Sequence, residues 1–584
     1  MSTLVFLGWA NTTLRLCDSR FFLSFAAFAC LGLFWVWWPR NKQIANTISS
    51  YEEFYRYTSG RWLYNEKQQL ALRYVEFNVD ALKEVATVAA GATRCLRMTK
   101  THEGSYNKIF LLEFDNRAEV IAKIPTKLIP AFYTTASEIA TMDFARTVLK
   151  LPVPEVLAWS ARAESTPVGA EFIIMRRCKG VELRKIWDDV SGESASNVID
   201  QVLQAERKFA EYRFSQIGSI YYKEDVEPCL RERRLYAEGF PDDEGSERFR
   251  IGPSTEWALW RGERARLEVD RGPCKFIAPK LVYRDLQALG LPGPDVLSYI
   301  HGVIRIHQAW LANCARPYAV NSPPRHFDDL EPLAHQQLLE KFGMLCPGLL
   351  PPADLCMHVL WHKDLHSKNI LVSGSPKSSI TLIDWQSTSV GPLFQQATSA
   401  LFVQYHGDPR ISLFDEARLP NDFDSLPWHD KIYLKHQRRL ALRHLYYLTH
   451  GDPLSLQAQR WSRIVPLSAA IDESSRTWDL GLGTLREHVL GLIGAWNAES
   501  PCPFAIGYGE RDRHEQEQVR MRAYQEHVKR LYKLLEAEGD GWVPNERYED
   551  ACIMNREQKL DWDEDVAGGA YPIVDGAPSW FVDP

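Results

Sequence analysis

The sequence predicts an α+β fold in two lobes: a small five-stranded antiparallel sheet with one helix, then a larger, mainly helical lobe. Three observations point there. Five short apolar runs bounded by turn residues fall between about residue 92 and residue 178. One stretch of helical period interrupts them after the third run. From about residue 180 the pattern is mostly helical, and at 584 residues the chain is too long for one simple core.

The elements follow in chain order. Phe21–Trp38 reads FFLSFAAFACLGLFWVWW and carries no charge. As a helix it would reach about 27 Å, enough to span a bilayer, and the tryptophans at 35, 37 and 38 would sit at the interface. Residues 1–42 are therefore expected to form a targeting or membrane-anchor segment. A buried core helix is the weaker alternative. Residues 43–91 read as an ordered extension with a helical centre near Glu66–Tyr74.

Residues 92–178 make the small lobe. Its strands are expected at TRCLRM, NKIFLLEF, AEVIAKIP, EVLAWS and AEFIIMRR, with a hairpin turn at Asp115–Asn116. The helix is Thr134–Lys150, with Ile139, Met142, Ala145 and Val148 on one stripe and the threonines as a cap. Pro152 and Pro154 stop it. Residues 179–540 make the helical lobe, and the acidic, proline- and glycine-bearing residues 541–584 read as a loop-like tail.

Composition narrows the partners. The net charge of −7 gives no basic face for nucleic acid. The 11 cysteines form no C-x-x-C pair, as expected of reduced thiols in a reducing compartment and not of a zinc ribbon.

The most informative stretch is WHKDLHSKNILV, from Trp361 to Val372. His362, Asp364 and His366 alternate, so on a strand all three would share a face and suit zinc or iron in a metallohydrolase. The rival reading is a phosphotransferase loop. Such a loop needs an Asp to take the acceptor's proton and, five residues on, an Asn to hold Mg²⁺. Asp364 and Asn369 have that spacing. A second metal-binding Asp should follow a hairpin, and NILVS and ITLIDW, joined by a polar loop, would bring Asp384 to the same end as Asn369.

The upstream sheet fits the same chemistry. In a protein-kinase-like fold a lysine on the third strand touches the nucleotide phosphates and pairs with a glutamate on the next helix. Lys123 lies in the third run and Glu138 in the first turn of the helix. The loop HEGSYNKIF would cover phosphates with backbone N–H groups around Gly104 and Ser105, although it has a single glycine. Read alone, each residue has a plainer role: Lys123 and Glu138 as solvated charges, Asp384 as a strand-end carboxylate, Ser105 as a turn residue. Their joint order favours the kinase-like reading. His362 is then a structural hydrogen-bonding residue behind the loop.

HKDLHSKN followed by IDWQ resembles the aminoglycoside phosphotransferase and choline kinase-like superfamily, whose pattern is H-x-D-x-x-x-x-N and then I-D-W or I-D-F. Longer segments, among them YTSGRWLYNEKQQLALRYVEF, EGSYNKIFLLEFDN and IDWQSTSVGPLF, are similar to fungal "altered inheritance of mitochondria protein nine"-like proteins. The resemblance runs from about residue 51 to about 398.

It implies a bilobal protein-kinase-like fold, ATP and Mg²⁺ as cofactors, a small-molecule substrate and mitochondrial residence. It implies Asp364 as catalytic base, Asn369 and Asp384 as metal ligands, and Lys123 with Glu138 at the phosphates. Adenine should meet the segment FIIMRRCKG near Met175, a residue that would equally suit the core. Two features depart from the family: the glycine-poor nucleotide loop, and the apolar stretch 21–38 in place of an Arg/Ser-rich transit peptide. The competing functions are a silent nucleotide-binding scaffold on the same fold, a protein kinase, which lacks its A-P-E element here, and the metallohydrolase.

Overall fold

The computed structural model describes Arg15–Leu16 and residues 51–190, 192–273, 294–315, 331–374, 378–411, 417–496 and 501–575. The apolar stretch Phe21–Trp38 lies outside the described residues. Among the described residues, no helix is long and apolar enough to cross a membrane. The chain divides into two compact units: residues 1–135, 155–177 and 542–552 form the first, and residues 136–154, 178–541 and 553–584 the second.

The first unit is built on an antiparallel sheet. Its strands are β1 (Cys95–Glu103), β2 (Asn107–Phe114), β3 (Glu119–Pro125), β4 (Val156–Ser160) and β5 (Phe172–Arg176). They run in the order β1-β2-β3-β5-β4, and Arg15–Leu16 pairs with the outer edge of β4. Alternation explains the burial. Lys108, Phe110, Leu112 and Phe114 face inward along β2 while their neighbours are only half-buried. Helix α1 (Val79–Ala89), capped by the Asn78 side chain, lays Leu82 and Ala86 into the same core as Phe110, Ala122, Phe172 and Ile174.

One inward position breaks the apolar rule. Lys108 is fully buried and pairs with the buried Glu103. Glu103 also accepts from the Thr58 backbone N–H at 2.7 Å, and Lys108 donates to the Arg56 carbonyl at 3.1 Å. A buried charge is tolerated only when paired and hydrogen-bonded, and here the N-terminal extension supplies the partners.

The C-terminal residues do not form the loop-like tail that composition suggests. Trp542–Pro544 is a strand paired with Gly60–Trp62, and Tyr548–Leu560 is a helix. The strand's partner lies at the other end of the chain, and local patterning carries no trace of so distant a pairing.

Helix α2 (Tyr133–Thr147) matches the expected element and ends slightly early, with Lys150 in the left-handed region at φ 54°. Thr134 Oγ1 is buried without a hydrogen bond, so it does not supply the expected cap. From Ala136 onward α2 belongs to the second unit.

The second unit contains β6 (Val181–Glu182), β7 (Ser219–Tyr222), β8 (Phe249–Gly252), β9 (His358–Trp361), β10 (Ile370–Ser373), β11 (Ser379–Leu382) and β12 (Ser389–Pro392). Strand β9 pairs with β12, β7 with β8, and β10 with both β11 and β6. Its longer helices are α3 (Gly192–Glu211), α4 (Pro294–Cys314), α5 (Pro332–Leu345), α6 (Trp428–His450), α7 (Pro453–Ile464), α8 (Leu467–Ser474), α9 (Leu482–Gly494) and α10 (Tyr508–Leu535). Phe209 of α3 packs against Trp361 and Trp385, with ring centroids 5.7 and 6.0 Å away. These buried aromatics lie under the segment 362–369. The α+β class, with a five-stranded antiparallel sheet and a mainly helical second part, is the one the sequence predicts.

Candidate active site

Two ladders bracket residues 362–369. Strand β9 ends at Trp361, opposite Ser389 of β12. Strand β10 begins at Ile370, opposite Leu382 of β11. The Ile383 N–H donates to the Asn369 carbonyl at 3.0 Å, carrying that ladder one residue further. Asn369 and Asp384 therefore emerge at the same end of the hairpin, as the sequence pattern requires.

The loop is held by its own turns. The Leu365 N–H donates to His362 O (3.2 Å), the His366 N–H to Asp364 O (2.9 Å) and the Asn369 N–H to His366 O (2.9 Å). The Asn369 side chain is buried, and its Nδ2 donates at 3.0 Å to both the carbonyl and Oδ2 of Asp364. Asn369 therefore fixes the Asp364 carboxylate, and its own Oδ1 takes no part in that contact.

Asp364 and Asp384 are both exposed. Desolvation by the surrounding chain pushes the Asp364 carboxyl above its usual range and Asp384 adds to the push, while His366, His362 and the Asn369 bond oppose it. His366 Nε2 stands 3.4 Å from Asp364 Oδ1. Asp384 has φ 61°, a left-handed conformation. Aspartate is one of the few residues that visits this region, and such strain concentrates at functional sites.

His362 is buried against Trp385, and its Nε2 stands 3.1 Å from the Ile383 carbonyl. Burial lowers its pKa. It fills the structural place behind the loop and does not join Asp364 and His366 as a triad. Among the described residues, no group of three or more His, Cys, Asp or Glu is arranged to hold a metal by itself. The alternating-ligand reading therefore gains no geometric support.

In the first unit, Lys123 sits in β3 between Ile109 and Ile173 and is buried. Gly104 and Ser105 lie in the three-residue turn between β1 and β2, closed by the Gly104 N–H on Asn107 O at 3.1 Å. Met175 is half-buried in β5, between Ile121 and Val156, just before the chain leaves this unit after Arg177. Glu138 is buried in the second-unit part of α2. The structure thus gathers Asp364, Asn369 and Asp384 into one cluster, and it sets the remaining candidates on their own elements.

Two polar residues beside the cluster have no sequence signature: Glu256 and Lys363. Lys363 Nζ lies 3.4 Å from Glu256 Oε1. No spacing rule connects residues 107 positions apart. Glu256 falls in the segment IGPSTEW of the helical lobe, which carries no motif of its own.

The loop and hairpin define the class of protein. A sequence model of the phosphotransferase enzyme family APH matches residues 305–417, a span that contains Asp364, Asn369 and Asp384. A subtelomeric hrmA-associated cluster protein of Aspergillus fumigatus is 30% identical over 82% of this chain and 95% of its own. The mitochondrial altered inheritance of mitochondria protein 9 of Yarrowia lipolytica is 26% identical over 69% of each chain. That of Saccharomyces cerevisiae is 23% identical over 85% of this chain and 87% of its own. Solved structures that align include the streptomycin–ATP–APH(2″)-IIa complex, at TM-score 0.35 and 11% identity over 72% of this chain and 97% of that one. The chain belongs to the APH phosphotransferase family, together with these altered inheritance of mitochondria protein 9 relatives.

Proposed function

We propose that this protein is an ATP- and Mg²⁺-dependent phosphotransferase that phosphorylates a hydroxyl of a small molecule. The observation that carries the reading is the cluster of Asp364, Asn369 and Asp384 at the ends of β9, β10 and β11. The donor set suits the ion: one carboxylate and one amide oxygen are the hard ligands Mg²⁺ prefers, and the Asn369 Nδ2 bonds leave its oxygen available. Asn369 and Asp384 would hold Mg²⁺, which would supply charge neutralisation at the nucleotide phosphates.

The chain's own groups do the rest. Asp364, fixed by Asn369, would orient an acceptor hydroxyl and take its proton as the new bond from that oxygen to the γ-phosphorus forms and the bond from the γ-phosphorus to the departing ADP oxygen breaks. By the family pattern, Lys123 would hold the α/β side of the triphosphate. Backbone N–H groups of Gly104 and Ser105 would cover the phosphates, and Met175 would line the adenine side. Little covalent chemistry is asked of the protein, because alignment and electrostatics supply most of the acceleration. The mitochondrial labels of the relatives support residence in mitochondria, with residues 21–38 as targeting segment or anchor.

The test is Mg²⁺-dependent ATP binding and turnover by the full chain, beside Asp364→Asn, with a metabolite pool as acceptor. General base catalysis is worth about 10²–10⁴-fold. The variant should lose at least about 100-fold in turnover while binding ATP as before. Failure of the wild type to bind ATP would refute the proposal.

A further inference from the structure

The catalytic loop and the segment that follows Asp384 leave the same ladder. Strand β9 ends at Trp361, β12 begins at Ser389, and these two residues are paired. Beyond this pair the strands diverge: one chain enters the loop at His362, the other leads back to Asp384. A group that bound both at the point of divergence would set where Asp364 stands relative to Asp384.

Glu256 occupies that point. Its Oε1 is 3.4 Å from Lys363 Nζ, one residue before Asp364, and accepts from Ser389 Oγ at 3.2 Å. Its Oε2 accepts from the Tyr299 hydroxyl of α4 at 3.2 Å. Tyr299 in turn accepts from Gln395 Nε2, which also donates to Asp472 Oδ1 at 3.0 Å. Desolvation works against the Lys363 ammonium, yet Glu256 and Asp472 outweigh it and hold it above its usual range.

Glu256 is itself anchored. The Thr255 N–H donates to Ser219 Oγ and the Glu256 N–H to Ser254 Oγ. Just before β7, Gly218 exchanges two backbone bonds with Val390 of β12, at 3.0 and 2.7 Å. The segment that carries the carboxylate is thereby tied, through the Ser219 hydroxyl and the Gly218 backbone, to the same strand whose first side chain it binds.

We propose that Glu256 is a positioning residue. Through Lys363 and Ser389 it fixes the Asp364 loop against the segment that carries Asp384. The idea rests on the phosphotransferase reading, and its test separates the two.

The full chain is compared with Glu256→Gln, Glu256→Ala, Lys363→Met, Lys363→Arg and the double variant Glu256→Ala/Lys363→Met. Two quantities are read: amide hydrogen exchange of residues 362–369, and phosphate release from Mg²⁺-ATP with water as acceptor. A hydrogen bond to a charged group is worth roughly tenfold or more. Glu256→Ala and Lys363→Met should each speed exchange of the loop amides by about tenfold and lower kcat by a similar factor, with KM for ATP within about twofold. The double variant should be no worse than the worse single one, because both break the same link. Lys363→Arg should retain most of kcat, and Glu256→Gln, which keeps the shape and an acceptor, should fall between. Wild-type exchange and kcat in the single variants, or additive losses in the double one, would overturn the proposal. If the wild-type chain does not bind Mg²⁺-ATP, the phosphotransferase reading fails, and the exchange pattern alone decides the role of Glu256.

Discussion

Glu206 of α3 should make the helical unit less stable as pH rises, and its replacement by glutamine should abolish that dependence. The side chain is 3% exposed. Its Oε2 accepts from the Tyr447 hydroxyl at 2.8 Å, and Oε1 has no hydrogen bond. Burial lifts the carboxyl from 4.5 to about 8, Asp452 adds to the lift, and the Tyr447 bond only partly offsets it. Between these two values the folded chain binds a proton that the unfolded chain has released. The contribution is therefore complete below about pH 4.5 and is lost as pH climbs toward 8. At 1.36 kcal/mol per pK unit the loss between pH 5 and pH 8 comes to about 3–4 kcal/mol.

Glutamine has no proton to lose and keeps an acceptor for Tyr447. Glu206→Gln should therefore match the wild type at pH 5 and exceed it by about 3 kcal/mol at pH 8. For a unit of about 400 residues this corresponds to roughly 4 °C in the midpoint of its thermal transition. The assay is the midpoint of both proteins in half-unit steps from pH 5 to pH 8. Their difference cancels every other titrating group. Parallel curves for the two proteins would refute the reasoning.

Three further outcomes follow from the site and its support. Asn369→Asp keeps an oxygen for Mg²⁺ but replaces the donor to Asp364 with a second carboxylate; it should cost at least about tenfold in turnover while Mg²⁺-dependent nucleotide binding, read by calorimetry, persists. Gly104 has an ordinary φ, and a Cβ there would meet nothing nearer than His102 Nε2 at 3.9 Å. Gly104→Ala should leave the thermal midpoint unchanged and weaken ATP binding, because only a ligand approaching the turn would feel the methyl group. Lys108→Met removes one of the two lysines that pair with the buried Glu103 carboxylate, leaving Lys100 at 3.2 Å, and should destabilise the first unit by about 1.5–3 kcal/mol, seen as a lowered midpoint for that unit.

The parts legible in the sequence are those encoded over short distances. Alternation along NKIFLLEF gave β2 its register, because period-two burial is set by neighbours two residues away. The spacing from Asp364 to Asn369, and the two apolar runs of the next hairpin, brought Asn369 and Asp384 to one end without any knowledge of the rest of the chain. The strand Trp542–Pro544 was illegible: it exists because Gly60–Trp62 offers an edge, and Asn545 then reaches the Thr58 carbonyl across 487 residues of chain. Glu256 was illegible for the same reason. A lone glutamate in a loop has no pattern until the fold sets it beside Lys363 and Ser389. The buried pair of Lys108 and Glu103 was hidden differently, since a lysine in a strand reads as a solvent-facing charge.

That pair bears on the glycine-poor loop. Glycine-rich phosphate loops gain close backbone approach and give up rigidity, since glycine carries the greatest conformational freedom. Here the turn at Gly104–Asn107 is short, and Thr126 holds it from the side: its N–H donates to Tyr106 O at 2.8 Å and its hydroxyl to Ser105 O at 3.4 Å. Glu103 and Lys108 close the base from beneath, both tied to the N-terminal extension. A turn fixed at its tip, flank and base needs no glycines to find its conformation. It presents the Ser105 side chain at an exposed position, so a hydroxyl can add to what backbone N–H groups offer a phosphate. A rigid loop of this kind loses little entropy when nucleotide binds. Removing Lys108 should therefore weaken ATP binding as well as folding, even at temperatures where the first unit remains folded.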